Sequence, residues 1–275
     1  MEYRVLGKTQ LKVSALGFGC GAVGGILVKG SRQEMLRAVA RACDLGVNYF
    51  DTAPLYGDRA SETNLGIVLE SLGQEVIVGT KVRLRLADLE NLETAITRSV
   101  ESSLRRLRRE TIDLLQLHNY AGETHTASQE WLNAKQIART VDVFKTLRAQ
   151  GVLAIRVLAG GALGDLADRP ANAAVPIEPI ASGGSFDEDL LLAQQFRFLV
   201  KEGYTETLAE AALRFASSLP AVSSTVLGIS TLEQLEAAAL SIQKGPLPAE
   251  VYPRLTAIWE NFSVQLHSAG DPSVG

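Results

Sequence analysis

Six short aliphatic runs, at 16–19, 47–51, 76–81, 113–118, 152–157 and 223–228, recur along this chain and alternate with stretches of helical periodicity. That alternation constrains the fold more than any other feature. Parallel strands need long crossover connections, which are usually helices, so strand–helix–strand units build a parallel sheet with helices outside it. Runs this short and this apolar suit strands covered on both faces. The helical stretches carry their own signals. Ser31 and Glu34 have capping-box spacing, and Met35, Ala38, Val39 and Ala42 form an apolar stripe that Gly46 terminates. A second helix is predicted over 60–72. Leu92, Ile96, Val100, Leu104 and Leu107 line one face of a third. Further helices are predicted over 138–150, 186–202, 205–218, 231–242 and 249–263. Ahead of the first run, Tyr3–Leu6 and Leu11–Leu16 read as a hairpin around Gly7–Lys8–Thr9–Gln10. Residues 164–186 make a Gly-, Pro-, Ala- and Ser-rich loop long enough to be functional.

The ends of these runs concentrate the reactive side chains. In GVNYFDTAPLYG, Asp51 closes a strand and Tyr56 follows in a Pro/Gly turn; VIVGTK ends on Lys81 and DLLQLH on His118. In a parallel barrel such ends open onto one face, where active sites are built. A phenol has a free pKa of about 10 and is a poor acid at neutral pH. A neighbouring ammonium stabilises its anion, and a carboxylate holds that ammonium charged and in place. An imidazole can orient a carbonyl or share its proton. The set suits protonation of an oxygen as hydride reaches the adjacent carbon. No side chain donates hydride, so a nicotinamide cofactor is implied. Taken singly, each residue has an ordinary reading: Asp51 as a turn cap, Lys81 as edge charge, His118 as a packed ring. It is the recurrence at successive strand ends that gives the group weight.

Composition bounds the rest. At 275 residues and 46% hydrophobic, the chain has the size and aliphatic content of one α/β barrel. A net charge of −4 gives no case for nucleic acid, and Arg105, Arg106, Arg108 and Arg109 read as a solvated helix face. Cys20 and Cys43 are too few for a disulfide framework and fit a reducing compartment. The first ten residues resemble neither a signal nor a transit peptide, and no apolar run reaches the roughly 18 residues of a membrane span. The expectation is a soluble cytoplasmic protein acting on a small molecule, of unassigned oligomeric state. His118, His125 and His267 lack metal-ligand spacing with the cysteines, so no metal is expected.

Asp51 and Tyr56 in NYFDTAPLYG, Ser61–Glu62, Leu65–Gly66, Lys81 in VGTKV, and His118 in DLLQLH together resemble the aldo-keto reductase family. The likeness covers 1–151 and 152–245. It implies a TIM-type eight-stranded (β/α)8 barrel that binds extended NADPH, with NADH possible, and reduces aldehydes or ketones. By resemblance Tyr56 is the general acid, Lys81 and Asp51 tune it, and His118 positions the carbonyl. STVLGISTLEQLEAAAL is similar to the family's last strand and phosphate-binding helix, which places Gly228, Ser230 and Gln234 at the adenosine 2′-phosphate end. Thr231 with Gln234, or Ser230 with Glu233, equally reads as a capping box. Arg156, Leu158 and Gly160 stand where the family touches the pyrophosphate, and Asp51 is counted among the cofactor contacts as well.

The resemblance also breaks. After Arg148–Ala149–Gln150–Gly151 the chain runs straight into VLAIRVLAGGAL, which is similar to the family's seventh strand. At roughly 30 residues per unit of a 250-residue barrel, about two βα units are missing. Ala237 and Ala238 replace family adenine contacts. The expectation is therefore a single domain over 1–275, an incomplete or rearranged barrel with an apparent excision at 151/152. The sheet can be open, completed by a second chain, or shortened by omission of a segment, and the intact flanking motifs favour omission. Two functions compete, a carbonyl reductase and a nucleotide-binding or regulatory module that has lost turnover. A Schiff-base lyase built on Lys81 is a third option.

Overall fold

The computed structural model describes residues 1–7, 9–21, 23–121, 131–147, 153–155, 186–219 and 222–258. A hairpin of β1 (Tyr3–Val5) and β2 (Lys12–Ser14) opens the chain. Then come β3 (Leu16–Gly19), α1 (Ile26–Lys29), α2 (Arg32–Asp44), β4 (Tyr49–Asp51), α3 (Ala60–Leu72), β5 (Ile77–Val82), α4 (Leu92–Leu107) and β6 (Leu114–Leu117). A short pair, β7 (Tyr120–Ala121) and β8 (Trp131–Leu132), precedes α5 (Ala134–Leu147) and β9 (Leu153–Ile155). The chain continues as α6 (Phe186–Gln194), α7 (Phe198–Lys201), α8 (Leu208–Ser218), β10 (Ser224–Gly228) and α9 (Leu232–Gln243).

Six strands form one parallel sheet in the order β6-β5-β4-β3-β10-β9. Each aliphatic run of the sequence supplies one of them. Strands β6 and β9 follow one another among these six along the chain, yet they lie at opposite edges of the sheet. Eight strands would close a barrel of this type. Among the described residues there are six, with no pairing between the two edges. The junction at 151/152 itself lies outside the described residues.

Alternation along each strand sorts side chains between two faces. Leu16, Phe18, Phe50 and Val78 face outward and pack with Met35, Val39, Leu65 and Leu235 from the surrounding helices. Tyr49 faces inward and packs with Leu6, Val13, Leu114 and Val226, so the hairpin covers part of the inner face. Space for the fully buried Tyr49 ring comes from two glycines. A Cβ on Gly17 would lie 2.9 Å from its ring, and one on Gly79 would run into its hydroxyl.

Local signals explain most helix bounds. Ser31 and Glu34 form the expected capping box, and Gly46 leaves α2 at φ 84°. Helix α5 begins before the predicted 138, because Asn133 and Gln136 cap each other's backbone amides at 2.9 Å. The helix predicted over 186–202 is interrupted by a 3-10 turn at Gln195–Arg197. The arginine run differs from a simple solvated face. Helix α4 ends at Leu107, and Arg108 follows in the left-handed region at φ 54°. Arg106 turns inward and bonds Glu62 at 2.6 Å, a carboxylate with no exposed side-chain surface. Glu62 also accepts from Thr80 Oγ1 at 2.6 Å, which ties α3 to both α4 and β5. Helices α3 and α4 approach closely at Gly66, where a Cβ would sit 2.5 Å from the Arg106 carbonyl oxygen. No described helix is long and apolar enough to cross a membrane.

Candidate active site

Asp51 and Lys81 share one face with Tyr49, because each lies an even number of residues from a position on the inner face of its strand. Lys81 Nζ donates to Asp51 Oδ2 at 2.5 Å and to the Thr52 carbonyl at 2.9 Å. Both side chains are nearly buried, at 9% and 6% exposure. The second carboxylate oxygen is held too. Gln116 Nε2 donates to Asp51 Oδ1 at 2.8 Å, and the Tyr49 hydroxyl donates to the same atom at 3.1 Å. Burial costs an ionised carboxylate its hydration, and these bonds replace that hydration.

Tyr56 reaches this cluster from the loop after β4. Its amide bonds the Ala53 carbonyl, and its carbonyl accepts from the Ser61 amide. Gly57, Asp58 and Arg59 follow at φ 61°, 45° and 75°, three successive left-handed residues. For Asp58 and Arg59 such backbone costs roughly 1–3 kcal/mol each. The turn delivers the Tyr56 ring beneath the ammonium of Lys81, 4.8 Å from the ring centroid. His118 meets the same ring edge-on, with centroids 5.6 Å apart and planes at 89°. On the other side, a Cβ at Gly21 would lie 3.3 Å from the Tyr56 ring, so the loop after β3 passes closely there.

Environment sets the protonation states. Burial raises the Tyr56 pKa, and the Lys81 charge opposes this without reversing it. The expectation of a lowered phenol pKa is thus corrected, because desolvation outweighs the ammonium. Burial works against the Lys81 charge, but Asp51 and then Tyr56 more than restore it, so its pKa rises. His118 is pushed down to about 4 by burial, by Lys81 and by Arg83. Its imidazole is neutral at physiological pH, and Nδ1 is buried with no hydrogen-bond partner among the described residues. Cys20 is buried nearby, with its thiol pushed well up by burial and by Asp51.

The four residues singled out at strand ends or just past them therefore converge. The proposed cofactor contacts divide. Arg156, Leu158 and Gly160 lie outside the described residues. Gly228 ends β10 against Gly24, whose amide nitrogen would lie 2.8 Å from a Gly228 Cβ. At the start of α9, Gln234 accepts from the Ser230 amide at 3.1 Å and donates its own amide to Thr231 Oγ1 at 3.3 Å. Glu233 sits in the same turn, its carboxyl held low by its own amide and by Thr231. The helix start is thus capped from within and carries a carboxylate. Of the two readings weighed from sequence, the Thr231/Gln234 cap is the one that forms here.

Gln116 and Tyr49 were absent from the expected site, although a signal was present. Gln116 precedes His118 by two residues and Tyr49 precedes Asp51 by two, the strand period that shares a face. Among the described residues no three His, Cys, Asp or Glu side chains group as metal ligands.

The sequence model of the aldo/keto reductase family matches residues 15–155 and 142–260. Among curated proteins, L-galactose dehydrogenase of Arabidopsis thaliana is 35% identical over 122 residues, covering 43% of this chain and 38% of that protein. D-threo-aldose 1-dehydrogenase of a Pseudomonas species is 28% identical over 290 aligned positions, covering 94% of this chain and 80% of that protein. Those 290 positions exceed the 275 residues present here, so the relative has residues opposite gaps in this chain. The match to the Arabidopsis protein spans about two fifths of its length. Among solved structures, the holo form of aldo-keto reductase AKR11C1 from Bacillus halodurans superposes with a TM-score of 0.66 at 22% identity, covering 94% of this chain and 96% of that one. The chain belongs to the aldo/keto reductase family of oxidoreductases.

Proposed function

We propose that this chain interconverts a small carbonyl compound and its alcohol with a nicotinamide cofactor, using Tyr56 as general acid in the reductive direction. The observation that carries this reading is the placement of one buried ammonium, Lys81, between Asp51 and the face of Tyr56. A bound reduced nicotinamide supplies the hydride. The protein's own work is on oxygen. Tyr56, like any phenol, is protonated at neutral pH, and burial reinforces this by raising its pKa, so it holds a proton ready for the carbonyl oxygen. As carbon receives hydride, that proton leaves Tyr56 Oη, and the phenolate left behind faces the Lys81 ammonium. Asp51, fixed through both oxygens, keeps Lys81 charged through this step. Neutral His118, beside Tyr56, orients the carbonyl without competing for the proton.

The donor set fits such a cofactor, since it moves protons and contains no group that gives up hydride. Gly228, Ser230 and Gln234, with Arg156, Leu158, Gly160 and Asp51, are the proposed cofactor contacts. NADPH remains the first cofactor to try because of the family pattern. The Glu233 carboxylate and the closed cap at Ser230 make NADH the necessary comparison. The relatives are named for galactose and aldose oxidation, which makes small sugars and hydroxyaldehydes the first substrates. Consumption of NADPH or NADH with a panel of such carbonyls tests the reading, and turnover with neither cofactor contradicts it.

A second reading rests on the sheet. With six parallel strands rather than eight, the described structure lacks two units that could hold a nicotinamide. A nucleotide-binding module without turnover would bind cofactor and leave every carbonyl unreduced, which separates the two readings in one titration.

A further inference from the structure

A groove of about 790 Å³ opens beside the active site, with His118 in its wall. Its volume is in the range of small-molecule sites. Its lining is unusual in charge. Arg59, Arg83, Arg85, Arg98, Arg105 and Arg106 all border it, against a single acid, Asp88. The whole chain carries a net charge of −4, so this concentration of cations is local.

Half of these arginines have assigned partners. Arg106 is committed to Glu62, Arg98 lies 3.5 Å from Asp88, and Arg105 bonds Ser102 Oγ. Asp88 also accepts from the Arg85 amide. Arg59, Arg83 and Arg85 have no carboxylate partner among the described residues. They come from the two loops that flank the site, the turn after Tyr56 and the segment after β5. With Arg105, which bonds only a hydroxyl, four of the six groove arginines lack a matching acid among the described residues, and such a concentration invites an external anion. The guanidinium fork matches the paired oxygens of a phosphate. The depressed His118 pKa shows that the Arg83 charge is felt at the catalytic end of the groove.

We propose that this groove holds the phosphate end of a carbonyl substrate whose carbonyl group is presented to Tyr56 and His118. The inference rests on the reductase reading and narrows its substrates to phosphorylated hydroxyaldehydes. His118 is the shared wall, so a ligand anchored on the arginines extends toward the proton donor. The same anchoring orients a flexible substrate and excludes poses that point the carbonyl away.

The probes are glyceraldehyde 3-phosphate and glyceraldehyde, compared in turnover and in calorimetric binding without cofactor. The phosphorylated compound is expected to be favoured at least tenfold in kcat/KM and in affinity, about 1.4 kcal/mol. Arg59→Gln/Arg85→Gln is expected to lose that preference. Both side chains are exposed, so the fold is expected to survive, and Arg85→Gln alone gives a milder version of the same loss. Arg254→Gln, in which the lost cation lies over Phe198 and pairs with Glu202, keeps the preference. Equal binding of the two probes by the unaltered protein overturns the proposal. So does a loss of NADPH affinity in the double variant, which would assign the groove to the cofactor's phosphates. If no carbonyl of the wider panel turns over with either cofactor, the reductase reading fails, while the binding ratio still decides whether the groove takes phosphate.

Discussion

Gln116 and Asp51 meet across two strands that are not neighbours. Gln116 stands on β6, Asp51 on β4, with β5 between them, and Gln116 Nε2 lies 2.8 Å from Asp51 Oδ1. The bond passes over Lys81, which pairs with Gln116 in register and holds the other oxygen of the same carboxylate. Asp51 is therefore fixed from both sides, and with it the ammonium that faces Tyr56.

Gln116→Met removes one of two donors to Asp51 Oδ1 and leaves the apolar packing volume nearly unchanged. A freer Asp51 holds Lys81 less firmly, so the Lys81 pKa drops toward its ordinary value. The expected result is a roughly tenfold fall in kcat, about 1.4 kcal/mol, with the alkaline limb of the pH–rate profile moved to lower pH. Cofactor affinity is expected to stay within about twofold. A destabilised protein with an unshifted profile would mean that Gln116 only supports the fold.

Lys81→Met leaves the Asp51 carboxylate buried beside an apolar chain. Removing one partner of a buried pair costs about 3–5 kcal/mol. Urea unfolding is expected to show a loss of that order, and Asp51→Asn/Lys81→Met is expected to recover part of it. Equal stability of Lys81→Met and the unaltered protein would contradict the buried pair.

His118 offers a direct readout of the charges around it. Its ring is expected to titrate at about 4, as followed by proton NMR, rather than at the usual value of about 6.5. Without the Lys81 ammonium, in Lys81→Met, the midpoint is expected to rise. The linkage has a definite sign. A folded pKa below the unfolded one means that the unfolded chain binds the proton first. The stabilising contribution is whole above about 6.5 and is lost as pH falls toward 4. A His118 midpoint near 6.5 would remove the neutral imidazole from the proposed mechanism.

Glu62 has no exposed side-chain surface and depends on Arg106 and Thr80 for its two oxygens. Arg106→Met is expected to cost about 3–5 kcal/mol, measured by denaturant unfolding, because it strands that carboxylate. Glu62→Gln/Arg106→Met is expected to be less harmful than Arg106→Met alone. A loss below about 1 kcal/mol for the single variant would place the ion pair among weak surface contacts.

Much of this was legible in the sequence, for definite reasons. The six parallel strands follow from aliphatic runs that are continuous because both faces are covered. Asp51, Lys81 and His118 were found because they end such runs, and Tyr56 because a Pro/Gly turn can re-aim a side chain. Gln116 and Tyr49 were hidden, since each reads as a mid-strand residue until the face parity is followed back from the strand end. Arg106 was hidden for another reason. Its partner Glu62 lies 44 positions away, and nothing in the local charge pattern shows a surface arginine turning inward. Burial of Tyr56 was equally nonlocal, which is why the direction of its pKa came out opposite to the effect of Lys81 alone. The six-strand count was legible, and the sheet adds that β6 and β9 stand at its two edges.

The most direct measurement is single-turnover hydride transfer by Tyr56→Phe, alongside its cofactor affinity. The variant keeps the ring against His118 and Lys81 and removes only the hydroxyl. A general acid contributes roughly 10²–10⁴-fold, so transfer is expected to fall by at least about a hundredfold while NADPH binding stays within about twofold. Transfer at the unaltered rate in Tyr56→Phe would contradict the assignment of the proton to this phenol.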